Sequence, residues 1–399
     1  MPFDFYLYLA SRFFSASAGT MLRASLAWHV FELTHSPFHL GMIGIVQFVP
    51  QLALLLVGGA VADSFDRRRI INASQLVLVA MGSALFLLTR SHALTLPLLY
   101  ALAAVQAAAL SFEQPARVAL LPALVPREVF PRAVTISSTN QALAFAAGPA
   151  FGGLIIATFG IAAAYAGYLT LLTLAFFCVL ALRSGGNAPG TTRNPVSLAA
   201  AREGIGFVLK QPVILGCMSL DMFAVIFGGA TALLPVYAKE ILEVGPRGYG
   251  ALTSSLEVGA LTMAFILMLR PPIVRAGRAL LTAVGVFGIA TIVFGFSRSF
   301  PLSLLAYAVC GMADQVSVVM RSTAVQLQTP DALRGRVSAV SMLFIGASNQ
   351  LGAAESGFVA AATSPTFAVV SGGFGCLIVL ALVAYLVPAL RGYRIERPA

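Results

Sequence analysis

Long apolar runs, separated by short polar or charged segments, follow one another along the whole chain. A helix needs about 20 mainly apolar residues to cross the hydrocarbon core of a bilayer, and the runs reach that length. They predict an all-α integral membrane protein with twelve spans and both termini on one side. The predicted spans are 6–31, 40–62, 70–89, 95–122, 133–158, 161–182, 212–237, 248–269, 279–297, 301–328, 337–361 and 366–390.

Basic residues are distributed unevenly between the two sets of loops. Of the 25 lysines and arginines, 17 lie in one set of loops and the C-terminal tail, four in the opposite loops and four within spans. Cytoplasmic loops of membrane proteins carry the excess of basic residues. The distribution therefore predicts that both termini are cytoplasmic.

The composition separates this chain from ordinary soluble proteins. It is 59% hydrophobic and only 10% charged, whereas soluble domains have about 45–50% and about 25%. The formal charge of +10 raises the question of a nucleic-acid partner. Because the arginines lie in short gaps between apolar runs, an anionic membrane surface explains them better, and we expect membrane lipids but no nucleic acid as partners.

The two halves of the chain repeat one another at an offset of 204 residues. An internal duplication of six helices is typical of one large class of secondary transporters, whose substrate site lies between the halves. The fold class is therefore two pseudo-symmetric six-helix bundles. The coinciding pairs are Pro126 with Pro330, Arg117 with Arg321, Arg132 with Arg336, Gly148 with Gly352 and Gly153 with Gly357.

The longest connection between spans divides these halves. It begins with Ser, Gly, Asn and Pro residues that are typical of a linker. Its second part, 198–209, predicts a short amphipathic helix on the cytoplasmic surface. The predicted domains are an N-terminal bundle over 1–183, a linker over 184–211, a C-terminal bundle over 212–390 and a tail over 391–399.

The turn after the second predicted span has the pattern Gly-x-x-x-Asp-x-x-x-Arg-Arg-Arg. This pattern resembles the loop between spans two and three of the major facilitator superfamily, although Asp66 or Arg67 stands where that family has a glycine. The resemblance implies a cytoplasmic latch between the halves; the alternative is that the arginines only determine topology. The implied latch comprises Gly59, Asp63, Arg67, Arg68, Arg69, Arg334 and Arg336.

The fifth predicted span contains Gly148, Pro149, Gly152 and Gly153. They resemble the Gly-Pro-x-x-Gly-Gly pattern of exporters and antiporters in the same superfamily. Close packing of a kinked helix is the alternative reading. Segments 111–117, 321–330 and 334–337 extend the resemblance over nearly the whole chain, to the bacterial branch with enterobactin exporters and macrolide-efflux proteins.

Ionisable residues inside spans are costly, so each is a candidate for coupling or substrate binding. Glu113 and Arg117 are one helical turn apart and are expected to pair. The two equivalent arginines are expected to stabilise each half, with substrate binding as the alternative. Acids without a partner on their own helix are better proton carriers, because burial favours the neutral carboxyl form. They are chiefly Asp221, Asp314, Glu257 and Glu355. The candidates are Arg12, Arg23, Glu32, Glu113, Arg117, Asp221, Glu257, Asp314, Arg321 and Glu355.

Two further patterns bear on function. Neither Lys210 nor Lys239 follows a glycine, so the phosphate loop of an ATP-driven pump is absent from the sequence. His29, Glu32 and His35 have a spacing that could hold a metal, although ordinary interfacial histidines are favoured. We therefore expect neither cofactor nor metal.

These observations predict a secondary transporter and not an enzyme. The predicted function is proton-coupled export of small amphipathic molecules, such as drugs or siderophores, by a monomer in the bacterial inner membrane. Proton-coupled uptake is the alternative within transport. A membrane-embedded enzyme or a lipid-handling protein is a more distant alternative.

Overall fold

The computed structural model describes residues 2–183, 198–271, 273–330 and 333–395. The part of the predicted linker over 184–197 and the tail residues 396–399 lie outside them. The described residues form helices and helical turns, and no strand occurs among them. The first six helices are α1 (Phe3–Thr34), α2 (Pro37–Ser64), α3 (Arg67–Arg90), α4 (Leu96–Leu124), α5 (Phe130–Phe159) and α6 (Ile161–Leu180).

The remaining helices begin with the predicted linker helix. They are α7 (Leu198–Lys210), α8 (Pro212–Gly228), α9 (Gly245–Leu269), α10 (Ala276–Phe296), α11 (Phe300–Gln328), α12 (Arg334–Ala362), α13 (Pro365–Leu386) and α14 (Pro388–Gly392).

Eleven stretches of the described helices are long and apolar enough to cross a membrane. One of them combines α8 with the helical turns up to Ile241. α1 is not among the eleven, although it has 32 residues. Polar residues such as Ser11, Arg12 and Ser15 dilute its apolar sequence. The helical membrane fold is confirmed, and α1 is the predicted span that does not meet the apolar criterion.

The seventh predicted span, 212–237, is not one continuous α-helix. α8 ends at Gly228, and a 3₁₀ turn (Ala230–Leu233) and a π-helical turn (Tyr237–Ile241) follow. Two consecutive glycines weaken the helix at this point. The Ser356 hydroxyl donates a hydrogen bond to the carbonyl oxygen of Gly229 (3.1 Å), so that this freed backbone acceptor is satisfied.

The same pattern of helix pairing occurs twice. α1 packs on α5 and α6, and α3 packs on α4 and α6. In the second half α8 packs on α12 and α13, and α10 packs on α11 and α13. These pairs are equivalent under the repeat, which agrees with the predicted pseudo-symmetry.

The chain forms two compact units. They differ from the predicted bundles because each unit includes one short segment from the other half of the sequence, and we call these two the exchanged segments. The first unit contains α1, α3 to α6, most of α2, and the segment Gly245–Ser254 at the start of α9. The second unit contains the other helices and the segment Ser36–Ile45 at the start of α2. Each unit therefore includes the first turns of a helix from the other half of the sequence.

Candidate functional site

The first unit contains a buried ion pair on α4. Arg117 Nε lies 2.6 Å from Glu113 Oε1, and the two side chains are 6% and 1% exposed. The Ser15 hydroxyl and Gln75 Nε2 donate to the same carboxylate oxygen at 3.2 and 3.4 Å. The i,i+4 pairing predicted from the sequence is therefore present, and α1 and α3 contribute polar partners to it.

One face of α1 supplies several of these polar groups. Ser11 accepts a hydrogen bond from Arg117 Nη1 (3.2 Å), and the Tyr8 hydroxyl donates to the Arg117 carbonyl oxygen (3.3 Å). Tyr8, Ser11, Arg12 and Ser15 follow the spacing i, i+3, i+4 and i+7, which brings them to one face of a helix. Sequence reasoning limited to charged residues missed this face, although its periodicity was visible.

Arg12 lies on the same face of α1 and is half-buried. Its Nη1 donates to the Tyr8 hydroxyl (2.9 Å), and its Nη2 donates to Gln141 Oε1 on α5. Next to this contact, Asn140 Nδ2 donates to the Leu9 carbonyl oxygen (3.0 Å), which joins α5 to α1. Both hydrogen-bond partners of Arg12 are therefore neutral.

The second unit contains a buried ion pair between two helices. Asp221 Oδ2 on α8 pairs with Arg321 Nη1 on α11, and the two side chains are 8% and 6% exposed. Asp221 has no basic residue one helical turn away, so the sequence predicts no ion pair for it. The pairing of Asp221 was missed because its partner lies 100 residues away on another helix.

The arginines of the two ion pairs are equivalent under the repeat, but their acidic partners lie on helices that are not equivalent. Arg117 and Arg321 are equivalent at the offset of 204. At the same offset Glu113 corresponds to Ser317, and Asp221 corresponds to Ser17. Both serines are buried. Each unit thus has a buried ion pair between an arginine and one acid. In the first unit both residues lie on α4. In the second unit the arginine lies on α11 and the acid on α8.

The other ionisable candidates have different environments. Asp314 is half-buried and forms no hydrogen bond or ion pair with any residue that the structure describes. Glu355 is half-buried, and its Oε2 lies 3.3 Å from the Ser356 hydroxyl, whose single proton it shares with the Gly229 carbonyl oxygen. Glu257 is half-buried and has an interaction partner. Arg23 and Glu32 on α1 are exposed.

The basic turn between α2 and α3 is organised by Asp66. Its side chain caps α3 by accepting from the backbone amides of Arg68 and Arg69 (2.8 and 3.4 Å). An aspartate at this position satisfies amides that have no partner within the helix. The residue that departs from the family pattern therefore has a local structural role as a helix cap.

The three arginines of this turn have separate environments. Arg67 is buried and donates to the Ala119 carbonyl oxygen on α4 (2.9 Å). Arg68 Nη1 lies 3.5 Å from the Arg183 carbonyl oxygen, and Arg69 is exposed. The side chains of Asp63 and Arg334 lie outside the described residues. Near Gly59, a side chain at Gly58 would collide with the backbone of Ser111 on α4.

Arg336 of the implied latch contacts the linker helix. Its Nη1 lies 2.5 Å from Glu203 Oε2 on α7, and the two side chains are 30% and 55% exposed. On its apolar side, α7 contributes Val208 to a cluster with Ile214 and Met218. α7 is thus attached to the second unit by one surface ion pair and by apolar contacts.

The Gly-Pro motif of α5 faces two different helices. A Cβ atom at Gly148 would lie 2.6 Å from the Ser17 carbonyl oxygen on α1. At Gly153, a Cβ atom would lie 2.6 Å from the Gly250 Cα atom at the start of α9. At Gly152 the nearest atom is the flexible Met21 side chain (3.1 Å).

The second unit repeats these contacts with the equivalent glycines. A Cβ atom at Gly352 would lie 2.7 Å from the Val225 carbonyl oxygen on α8. At Gly357, a Cβ atom would lie 2.5 Å from the Gly41 Cα atom at the start of α2. The exchanged segments are therefore held by contacts between paired glycines.

The histidines of α1 have separate local partners. His29 is buried, and its Nδ1 lies 2.9 Å from the Tyr165 hydroxyl. His35 caps the end of α1 in a left-handed conformation (φ 47°). Within the described ranges, no group of three or more His, Cys, Asp or Glu side chains could hold a metal ion.

Comparison with protein families gives one match over nearly the whole chain. The family model described as transmembrane secretion effector matches residues 5–394. Enterobactin exporter EntS of Escherichia coli O1:K1 / APEC is 27% identical over 404 aligned positions, which cover 97% of this chain and 92% of that protein. The EntS protein of Shigella boydii serotype 18 gives the same identity and coverage.

Solved transporter structures share the fold. A bacterial homolog to the human lysosomal transporter Spinster, in an inward-facing and unoccupied conformation, is 16% identical with a TM-score of 0.73, and the match covers 100% of both chains. The peptide transporter POT in complex with sulfate is 14% identical with a TM-score of 0.74, over 98% of this chain and 95% of the other. At these identities the likeness concerns the fold alone.

Proposed function

This chain belongs to the transmembrane secretion effector family of the major facilitator superfamily, and we propose that it exports small amphipathic molecules of the siderophore or drug type by alternating access. It is a multi-pass membrane protein, and its family consists of transporters and not of enzymes. The full-length similarity to proteins named enterobactin exporters supports the substrate class.

The observation that carries the proposal is the pair of equivalent glycine contacts. Gly153 meets Gly250 in the first unit, and Gly357 meets Gly41 in the second. Each contact joins helices from different halves of the sequence without an interlocking side chain. Small residues allow the backbones of two helices to approach closely. Such contacts suit helices that come together and separate in every transport cycle.

Efflux from cells tests this function. Cells that over-produce the chain should retain less labelled enterobactin, or less of at least one drug in an amphipathic panel, than control cells do. Everted vesicles with an imposed pH gradient should accumulate the same compound. Uptake into intact cells instead of efflux would contradict export, and the absence of any gradient-dependent flux would contradict secondary transport.

Proton coupling is part of the proposal, with the unpaired acid Asp314 and the weakly bonded Glu355 as the leading carriers. A carboxyl group without a cationic partner can take up a proton without leaving a buried cation unpaired. Asp221 is less suited because its ion pair with Arg321 favours the charged carboxylate. Glu257 is a secondary candidate.

Neutralising the leading carriers tests this route. Asp314→Asn or Glu355→Gln should remove the dependence of vesicle flux on the pH gradient while the protein remains folded. The measurement is initial flux at several imposed gradients, with Glu32→Gln as an exposed control. If both variants keep the pH dependence of the unmodified protein, neither acid carries the coupling proton.

We also propose that the α2–α3 turn acts as the latch, with Arg336 changing its partner between Glu203 and this turn. Asp63→Asn should lower flux strongly without reducing the amount of inserted protein, because the change removes charge and keeps the side-chain volume. Asp66→Asn is the matched control, since asparagine also caps helices well. Equal flux in the two variants would contradict a latch role for Asp63.

The remaining assignments concern placement and assembly. We propose that the protein functions as a monomer in the bacterial inner membrane, surrounded by lipids, with both termini cytoplasmic. The asymmetry of basic residues between the loops supports this orientation. The division into bundles over 1–183 and 212–390, joined by the linker 184–211 and followed by the tail 391–399, remains a prediction.

A further inference from the structure

We propose that Arg12 binds an oxyanion of the transported molecule, so that the substrates are amphipathic acids and not cations or neutral compounds. This inference rests on the proposed export function and names the chemical class that the function would select. Arg12 differs from Arg117 and Arg321, two arginines of the spans that form buried ion pairs.

No residue in the described part of the chain neutralises the charge of Arg12. Arg117 has Glu113, and Arg321 has Asp221. Arg12 instead donates to a hydroxyl and to an amide, and it has no ion pair with any of the residues that the structure describes. A cationic side chain inside a membrane span is costly unless it has a partner or a function. A substrate oxyanion would supply the missing negative charge.

The two neutral partners hold the guanidinium in a defined orientation. The Tyr8 hydroxyl donates its proton to the Arg117 carbonyl oxygen, and its oxygen accepts a hydrogen bond from Arg12. Gln141 fixes the other terminal nitrogen from α5. A guanidinium has five N–H donors, and these contacts use two of them. Three donors remain for a carboxylate, phenolate or similar group, which arginine can bind through two parallel hydrogen bonds.

Arg12 is also accessible, unlike the paired arginines. It is half-buried, whereas Arg117 and Arg321 are each 5% exposed. A ligand can therefore reach Arg12 without opening a buried ion pair. This difference separates a binding arginine from two arginines that stabilise their helices.

Matched pairs of fluorescent probes test the inference. Dansyl-leucine and dansyl-leucinamide, together with pyrenebutyrate and pyrenebutanamide, differ within each pair only in the carboxylate. Binding to the purified full-length protein and flux in reconstituted vesicles are measured for each probe. We expect the acid of at least one pair to bind roughly tenfold more tightly than its amide. Arg12→Gln should abolish this preference, and Arg12→Lys should keep part of it.

The controls separate binding from structure and from lipid contacts. Arg90→Gln, an exposed arginine at the end of α3, should leave the ratio of acid to amide affinity unchanged. A purely structural role of Arg12 would weaken both members of a pair equally, which would overturn the inference. Binding of a lipid phosphate by Arg12 would make the effect of Arg12→Gln depend on phosphatidylglycerol in the vesicles, and this result would overturn it too.

The proposed function and the inference can fail separately. If the unmodified protein binds no acid more tightly than its amide, the inference is wrong. If it also moves amides along the gradient, export stands and only the substrate class fails. If the acids bind with the expected preference but no probe or panel compound is transported, the binding assignment stands and the transport function fails.

Discussion

Replacing Asp221 by asparagine should destabilise the second unit by about 3–5 kcal/mol, because the buried Arg321 would lose its only acidic partner among the described residues. The expected result is a low yield of folded protein and a much lower melting temperature in detergent. Asp314→Asn is the matched control, since Asp314 has no basic partner in the ranges that the structure describes. Similar yield and melting temperature in the two variants would contradict the role of the ion pair.

The repeat provides a rescue experiment for the same pair. In the first unit the acid lies four residues before the arginine, and Ser317 occupies the equivalent position in the second. Combining Asp221→Ser with Ser317→Glu should therefore restore much of the stability lost in Asp221→Ser alone. The melting temperature of the double variant relative to both single variants gives the coupling energy. A double variant no more stable than Asp221→Ser would show that the positions are not interchangeable.

Gly153→Ala should reduce transport by about tenfold or more, an effect of at least ~1.4 kcal/mol on the step that brings α5 against α9. The added methyl group would meet the Gly250 Cα atom and the Pro246 carbonyl oxygen, each 2.6 Å away. Backbone atoms cannot move aside as a side chain can. Vesicle flux and the melting temperature are the measurements, and the protein should remain folded.

Three further glycines calibrate this result. Gly357→Ala should resemble Gly153→Ala, because its methyl group would meet the Gly41 backbone at 2.5 Å. Gly152→Ala should have a smaller effect, since the Met21 side chain can adjust. Gly19→Ala should have none, because the added group would lie more than 4 Å from every described atom beyond the local backbone of its own helix. Equal flux in Gly153→Ala and Gly19→Ala would contradict a transport role for the close contact.

The sequence predicted most of the helices and the ion pair whose members are close in the chain. Apolar run length and charge are local properties, and so is the i,i+4 spacing of Glu113 and Arg117. The pair between Asp221 and Arg321 depends on the packing of α8 against α11, which no local pattern contains. The exchanged segments at the starts of α2 and α9 were missed for the same reason.

Local chemistry also explains which details the predictions omitted. The sequence treated Asp66 only as a departure from a family pattern, although aspartate before a basic helix start is a good cap. It treated the span after Pro212 as uniform, although Gly228 and Gly229 mark a weak point. Polar but uncharged residues, such as Gln75 and Ser15, received no role because only ionisable groups were weighed.

The polarity of α1 has a consequence for how the protein is made. α1 is synthesised before α4 and α5, yet its polar face has partners on both helices. Glu113 follows Ser15 by 98 residues, and Gln141 follows Arg12 by 129 residues. At about 5–20 residues per second, the ribosome needs roughly ten seconds to supply them. During this interval Arg12 has the Tyr8 hydroxyl of its own helix but lacks Gln141, and the Ser15 hydroxyl lacks Glu113. We therefore expect stable insertion of α1 to depend on the later helices, so that a chain truncated before α4 anchors less firmly than one that extends through α5.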